Sequence, residues 1–440
     1  MTEQNGKVAI LAGGGPAPGI NSVIAAASIR AILKGYDVIG IHGGFRWIMR
    51  GDISQAELLN IDRVSRIHFR GGSIVGTARD NPTTDPEFLD NTVDSLDRLG
   101  VDKLITIGGD DTAFSAMTIE KHAGGRLRVV HVPKTIDNDL DLPHGINTFG
   151  YQTARHVGAG VLKNLMIDAR TTGRWYFVLS MGRKAGHLAL GIGKAAGATV
   201  TIIPEEFDEP TVPLRRIVDI LAGTIIKRRR ENRSDGVAVL AEGLMERLDP
   251  GELEALDTVG HDEHGHVRLG EIQFAPVVKQ KVLERLEGLG ISAKITTKDI
   301  GYELRGAEPI PYDMEYTRDL GFCAAQYIIN GGTGAMVSID TGRFNPLHFD
   351  TMLDHKTKRT RVRMVDVRSE YYYIARRYML RLKTEDFRDQ EVLGGLARVC
   401  GLTVKEFRKE FEYLVNDDLL VRIQKSEKQK ERSVEDVKAP

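Results

Sequence analysis

Two cysteines, Cys323 and Cys400, are all that the 440 residues contain. So few exclude a disulfide framework and fit a reducing compartment. Charge of one sign is lacking as well: 60 Lys and Arg against 61 Asp and Glu leave a formal net charge of −1. No global field therefore points to nucleic acid or to an anionic membrane. No run is long and apolar enough to span a bilayer. Residues 1–7 are polar before the chain enters Val8-Ala9-Ile10-Leu11. They lack the apolar core and cleavage site of a signal peptide, so the expected location is cytoplasmic. The first glycine loop, Gly13-Gly14-Gly15-Pro16-Ala17-Pro18-Gly19, is not followed by the Gly-Lys-Ser/Thr of a Walker sequence, nor is it a clean dinucleotide fingerprint.

What is present is the make-up of a soluble globular protein, 41% hydrophobic and 28% charged. The length predicts two domains. One stretch organises the rest: Leu104-Ile105-Thr106-Ile107-Gly108-Gly109-Asp110-Asp111-Thr112. A β-rich apolar run ends in two glycines, two carboxylates and a hydroxyl, and a helical pattern follows over about 113–122. Paired glycines after a strand let a ligand approach the backbone. Asp111 or Thr112 is a candidate helix cap. Two carboxylates at a helix start that favours phosphate call for a cation, or for something to repel.

Strand and helix patterns alternate along both halves, which predicts parallel, doubly wound sheets facing a cleft. Strands are expected over 8–12, 37–41, 104–107, 128–132, 175–180, 199–203, 236–240 and 335–339. Helices are expected over about 20–33, 91–99, 151–167, 186–197, 213–230, 274–289 and 315–330, with a largely helical remainder. The first glycine loop fits a phosphate cradle and a plain tight turn equally well. Gly71-Gly72-Ser73-Ile74-Val75-Gly76-Thr77-Ala78-Arg79 is a second glycine-rich turn. Its arginine suits phosphate oxygens, although an exposed loop arginine is the stronger reading of that residue alone. Pro133-Lys134-Thr135-Ile136-Asp137-Asn138-Asp139 gathers an ammonium, a hydroxyl and two carboxylates at a strand end, where open α/β sheets bind ligands. An Asx-turn explains one of these aspartates more easily than the whole cluster. The basic run Lys227-Arg228-Arg229-Arg230 reads as a solvated helix end. His261, His264 and His266 read as a polar surface loop rather than a metal site, since no cysteine joins them. Residues 425–440 form a charged tail.

Several of these motifs occur together and in order in one family. Gly13-Gly14-Gly15-Pro16-Ala17-Pro18-Gly19-Ile20-Asn21, Gly108-Gly109-Asp110-Asp111, Pro133-Lys134-Thr135-Ile136-Asp137-Asn138-Asp139, Met181-Gly182-Arg183 and Gly301-Tyr302-Glu303-Leu304-Arg305-Gly306 resemble the phosphofructokinases. The likeness runs from about residue 7 to about residue 339. Gly-Gly-Asp alone also resembles NAD kinases and lipid kinases; the Thr-Ile-Asp-Asn-Asp and Met-Gly-Arg elements separate this chain from both. The resemblance implies the phosphofructokinase fold, α/β with two doubly wound, mostly parallel-sheet Rossmann-like domains. Residues 1–150, rejoined by about 305–345, would bind the phosphoryl donor. Residues 151–304, with part of 346–424, would bind the sugar phosphate. Among site residues it implies that the Gly14 backbone meets the donor, that Asp110 helps hold Mg²⁺, and that Asp137 is the general base. Thr135 and Asp139 would position the sugar and support the base, with Ile136 between them. Met181, Gly182, Arg183 and Glu242 would contact the sugar phosphate. The turn Tyr302-Glu303-Leu304-Arg305 would lie near the 6-phosphate. Arg79 would bridge toward the transferring phosphate, and Arg174 would reach a neighbouring subunit's site.

The donor rests on two positions, of which Asp111 decides, because some ATP users in this family also carry Lys where Lys134 stands. ATP-using members usually carry Gly where Asp111 stands, and many carry Gly where Lys134 stands. A carboxylate there occupies the room of a nucleotide α-phosphate; like charges ~4 Å apart repel by several kcal/mol at an effective dielectric of ~20. Pyrophosphate has no third phosphate and escapes that repulsion, and Lys134 offers it a point charge. The chain therefore resembles the pyrophosphate-dependent branch, which implies reversible phosphotransfer between pyrophosphate and fructose 6-phosphate in glycolysis and gluconeogenesis. Thr296 departs from the pattern, because ATP-using bacterial relatives carry an arginine there; Lys294 and Lys298 are its candidate substitutes. An ATP-dependent enzyme and a non-catalytic regulatory subunit are the rivals, and the second should have lost Asp110, Asp137 or Asp139. Self-association is expected, a homodimer before a tetramer, with no nucleic acid and no membrane.

Overall fold

A computed structural model describes residues 6–143, 145–249, 251–252, 273–352 and 361–416. The expected histidine-rich loop and charged tail lie outside them. The strands, in chain order, are β1 (Lys7–Ala12), β2 (Asp37–Ile41), β3 (Ala56–Leu59), β4 (Val101–Gly108), β5 (Arg128–Thr135), β6 (Phe149–Gly150), β7 (Trp175–Ser180), β8 (Val200–Ile202), β9 (Gly236–Ala241), β10 (Ile295–Ile300), β11 (Ala335–Asp340) and β12 (Arg343–His348). The chain divides into two compact units, Met1–Val157 with Gly301–Arg363, and Gly158–Ile300 with Met364–Pro440.

The first unit is built on a sheet in the order β12-β11-β5-β4-β1-β2-β3, with β6 beside β5. It is parallel except at its two edges, where β3 and β12 run antiparallel to their neighbours. Both faces are covered, which is why residues 8–12 of β1 read as an unbroken apolar run and the 104–107 stretch of β4 is interrupted only by Thr106. Alternate residues serve alternate cores: Val8, Ile10, Ile105 and Ile107 pack with helices Ile20–Ile32 and Pro311–Ile329. Ala9, Leu11 and Leu104 pack with helices Pro86–Arg98 and Asp110–Ala123. In the second unit the order is β10-β7-β9-β8, all parallel. Trp175, Phe177 and Leu179 form its main core with helices Leu214–Arg230, Phe274–Glu287, Gln390–Val399 and Val404–Asn416. The fold is thus α/β with two mostly parallel sheets. Among the described residues, no helix is long and apolar enough to cross a membrane.

Four local expectations are corrected. The helix after Gly108-Gly109 begins at Asp110, with Gly109 as its N-cap and no side-chain cap. Both carboxylates therefore stand in its first turn, where the helix dipole favours them. The helix expected over 91–99 begins at Pro86, because Asp85 caps it and proline occupies its first position. The region past 340 is not wholly helical, since β12 pairs with β11. Finally, Lys227 is anchored rather than solvated: its Nζ donates to Asp386 Oδ2 at 2.5 Å and to Arg381 O at 3.0 Å.

Candidate active site

In the first unit β5, β4 and β1 lie side by side and parallel, so their carboxyl ends bring three loops to one edge of the sheet. The glycine loop after β1 is tied to both neighbours. Gly13 N donates to Ile107 O at 2.8 Å, and Gly14 N to Ala78 O at 2.7 Å, which sets the 71–79 turn alongside. Asn21, buried in the following helix, braces that turn: its Nδ2 donates to Arg70 O and Gly71 O, and its Oδ1 accepts from Ile74 N at 2.8 Å. Arg79 follows Ala78 on the exposed side. Gly14 has φ 77°, and a Cβ there would fall 3.2 Å from Lys134 Nζ. The buried Lys134 donates to Gly15 O at 2.6 Å, and the Arg305 guanidinium also lies against Gly15. Two cations thus converge on a loop with left-handed backbone, an arrangement chemically suited to an anion.

Beneath the Gly108-Gly109 turn is a histidine that reading along the sequence did not single out. His131 of β5 is wholly buried; Gly108 O, which can only accept, receives its Nε2–H at 3.0 Å, and its Nδ1 accepts from the Thr106 hydroxyl at 2.8 Å. Burial pushes its pKa down to about 3, and the Lys134 charge acts the same way against the Gly108 hydrogen bond. The folded protein thus holds this imidazole neutral, while the unfolded chain protonates it below its ordinary 6.5. Stability attributable to His131 is full above about pH 6.5 and is lost as pH falls toward about 3. At pH 5 the loss is ~2 kcal/mol at 1.36 kcal/mol per pH unit. Denaturant unfolding at pH 7 and pH 5 should show a smaller acid loss in His131→Gln; equal losses in the two proteins would refute it.

The loop after β5 carries the acids. Asp137 N donates to Thr135 Oγ1 at 3.0 Å, and Thr148 Oγ1 donates to Thr135 O at 2.8 Å. Asp137 and Asp139 are both buried, on either side of Asn138, whose φ is 59°. Ile136, which precedes Asp137, is buried as well. Tyr302–Arg305 forms a helical turn in this same unit, with Glu303 Oε2 accepting from Gly301 N at 3.0 Å. Leu304 is a core residue, whereas Tyr302 is exposed under the Arg305 guanidinium, 4.7 Å from the ring centroid.

The second unit holds the other candidates. The loop after β7 carries Met181, Gly182 and Arg183, and Met181 N donates to Ile300 O of β10 at 3.0 Å. Glu242 follows β9; its Oε2 accepts from Gly182 N at 3.0 Å and Arg183 N at 2.9 Å. Burial raises the Glu242 pKa, against these two hydrogen bonds. Gly243 lies hard against the same loop, where a Cβ would fall 2.6 Å from Arg183 O and 2.7 Å from Lys184 O. Glu205, absent from the sequence reading, pins the loop's far end: its Oε1 accepts from Gly186 N at 2.8 Å and from Val365 N at 3.0 Å. No local pattern signals that role, since its partners are distant in sequence. Arg174 is not part of this group. It precedes the first residue of β7, whereas Met181 follows the last, and six residues of strand span about 20 Å at ~3.3 Å each. Arg174 Nε donates to Thr172 Oγ1 at 2.8 Å. Thr296 lies within β10 opposite Tyr176, nearer that same end of the sheet.

Glycine loops and acids gathered at the carboxyl ends of parallel strands stand where open α/β sheets bind ligands. Residues 7–328 match the family model described as phosphofructokinase, and the chain belongs to the phosphofructokinase family. It is 50% identical over 410 residues to the pyrophosphate–fructose 6-phosphate 1-phosphotransferase of Thermotoga maritima, covering 92% of this chain and 98% of that one. It is 49% identical to the protein of the same name from Naegleria fowleri, covering 92% and 95%. The fold likeness extends to the pyrophosphate-dependent phosphofructokinase of Nitrosospira multiformis, with a TM-score of 0.63 at 16% identity over 90% of this chain and 91% of that one. For the phosphofructokinase of Saccharomyces cerevisiae the TM-score is 0.62 at 20% identity over 93% of this chain, which spans 50% of that one.

Proposed function

We propose that this protein is a diphosphate:fructose-6-phosphate 1-phosphotransferase, an enzyme of glycolysis and gluconeogenesis. The sugar 1-hydroxyl oxygen bonds to the terminal phosphorus of pyrophosphate as the bridging P–O bond breaks. The hydroxyl proton goes to Asp137, and orthophosphate leaves. One phosphoanhydride is spent on one phosphoester without net ATP, so the reaction runs readily in both directions. The first unit handles the donor. The Gly14 backbone, Lys134 and Arg79 meet the pyrophosphate, and Thr135, Ile136 and Asp139 set the sugar against the base. Met181, Gly182, Arg183 and Glu242 hold the sugar phosphate, while Tyr302, Glu303, Leu304 and Arg305 form the turn at its 6-phosphate. Phosphoryl transfer needs positioning and charge neutralisation more than covalent chemistry, which such a residue set supplies.

The observation that carries the pyrophosphate reading is Asp111, placed beside Asp110 in the first turn of helix Asp110–Ala123 at the end of β4. It adds a negative charge where a longer polyphosphate would extend. Asp110 is the residue we assign to Mg²⁺. Among the described residues no group of three or more His, Cys, Asp or Glu side chains could hold an ion by itself. That donor set fits a cation bound through one or two carboxylates, its other positions filled by phosphate and water. When bound, Mg²⁺ supplies charge neutralisation on the transferred phosphoryl group.

The reading includes self-association, a homodimer before a tetramer, with Arg174, which stands at the far end of β7 from Met181, assigned to a second copy's site by the family resemblance. Two free cysteines support a cytoplasmic location. Phosphorus NMR tests the chemistry in both directions. Fructose 6-phosphate and pyrophosphate should give fructose 1,6-bisphosphate and orthophosphate in equal amounts, and the products should regenerate pyrophosphate; no pyrophosphate turnover either way would overturn it. Gly243→Ala should push the 183–184 main chain aside at a cost of ~1–3 kcal/mol. The expected result is a KM for fructose 6-phosphate raised on the order of 10-fold, with a smaller change for pyrophosphate. Unchanged KM values would remove Gly243 from the account.

A further inference from the structure

The turn that carries Asp137 and Asp139 is held from outside the segment that defines the family. Arg363 lies beyond residues 7–328, yet it makes an unusual number of bonds to this turn. Its Nη2 donates to Asn138 Oδ1 at 2.6 Å, and its Nε and Nη2 donate to Asn138 O at 3.2 and 3.1 Å. Its Nη1 donates to Ile146 O at 2.7 Å, and its backbone N to Asp139 O at 2.7 Å. The preceding residues run along the same turn: Val362 bridges Leu140 antiparallel, and Arg361 Nε lies 2.8 Å from Asp141 Oδ2.

Asn138 needs such a brace. Its φ of 59° is in the left-handed region, which asparagine tolerates better than most residues but which persists only when the surroundings over-determine it. Thr148 N, donating to Asn138 Oδ1 at 3.0 Å, and Asn147 Oδ1, accepting from Asn138 Nδ2 at 2.9 Å, hold the side chain from one side. Arg363 grips its side-chain and main-chain oxygens together from the other. A planar guanidinium can do this with one fork; an ammonium cannot.

We infer that Arg363 is a positioning residue for phosphoryl transfer: through Asn138 it fixes the direction in which the flanking Asp137 and Asp139 carboxylates point. The inference rests on Asp137 being the base. A misplacement of ~1 Å at a reacting group costs on the order of 10²-fold in rate.

The test uses the full-length enzyme with pyrophosphate and fructose 6-phosphate. Arg363→Met should lower kcat about 10²-fold, with both KM values within about threefold of wild type. Arg363→Lys keeps charge and length but loses the fork, and should still lower kcat by about 10-fold or more. Thermal melts give the folded fraction, to which kcat is normalised, so lost stability alone does not register as lost turnover. If Arg363→Met does not accumulate as folded protein, Arg363→Lys decides. A kcat per folded molecule within about twofold of wild type in the variant that decides would overturn the inference. Asp137→Asn is assayed in parallel: inactive Asp137→Asn with an unaffected Arg363 variant overturns the clamp alone, and active Asp137→Asn overturns the base assignment and the clamp together.

Discussion

Asp137→Asn should lower kcat by about 10²–10⁴-fold, the worth of a positioned general base, while KM for pyrophosphate and fructose 6-phosphate stays close to wild type. The substitution keeps the shape of the side chain and removes its capacity to take a proton. The turn should survive, because it is held elsewhere. Asp137 N still donates to Thr135 Oγ1, Thr148 still donates to Thr135 O, and Arg363 still holds Asn138. An interaction made mainly in the transition state appears in kcat and not in KM. Steady-state kinetics of the purified variant checks this, with a thermal melt to show that it is folded. Turnover within a few-fold of wild type would mean that another group takes the proton.

Asp111→Gly should move donor preference toward ATP. Opposed charges of like sign at ~4 Å carry about 4 kcal/mol at an effective dielectric of ~20, a ceiling near 10³-fold. Asp111 is only half-buried, and solvent reduces that figure. The expected gain in kcat/KM for ATP is therefore on the order of 10–100-fold, with a loss for pyrophosphate. Removing Lys134 as well should deepen the pyrophosphate loss, since its ammonium sits on the glycine loop at Gly15. The gain should appear with ATP and not with a diphosphate analogue, because only a chain of three phosphates reaches the carboxylate. If Asp111→Gly leaves ATP use unchanged, the carboxylate is not the selector and its place in the first turn reflects the helix dipole alone.

The parts of this molecule legible in the sequence are those whose signal is local. β1, β4, β5, β7 and β9 read as apolar runs because both faces of their sheets are covered, and each ends in its glycines or acids. β10 was missed. Ile-Thr-Thr-Lys-Asp-Ile is polar through its centre, as suits an edge strand, with Lys298 and Asp299 exposed. β3 and β12, the antiparallel edges of the first sheet, were missed for a similar reason: partners on one side only leave a weak pattern. Motif residues were legible singly, but their braces were not. His131 under Gly108, Glu205 on Gly186 and Arg363 on Asn138 act at sequence separations of 23, 19 and 225. Nothing in a local window marks them as more than a core histidine, a loop glutamate and one arginine among many. The carboxylate pair at 110–111 shows both halves of this. Its presence and its tension with phosphate binding are legible in the sequence, whereas its compatibility with the fold lies in the helix start at Asp110.

The most direct test of the account is a side-by-side measurement of initial rates on wild-type enzyme. Fructose 6-phosphate is held saturating, Mg²⁺ is present, and pyrophosphate or ATP is varied as donor. The expected result is a kcat/KM for pyrophosphate at least on the order of 10²-fold above that for ATP, matching the charge repulsion assigned to Asp111. Equal use of the two donors, or a preference for ATP, would contradict it.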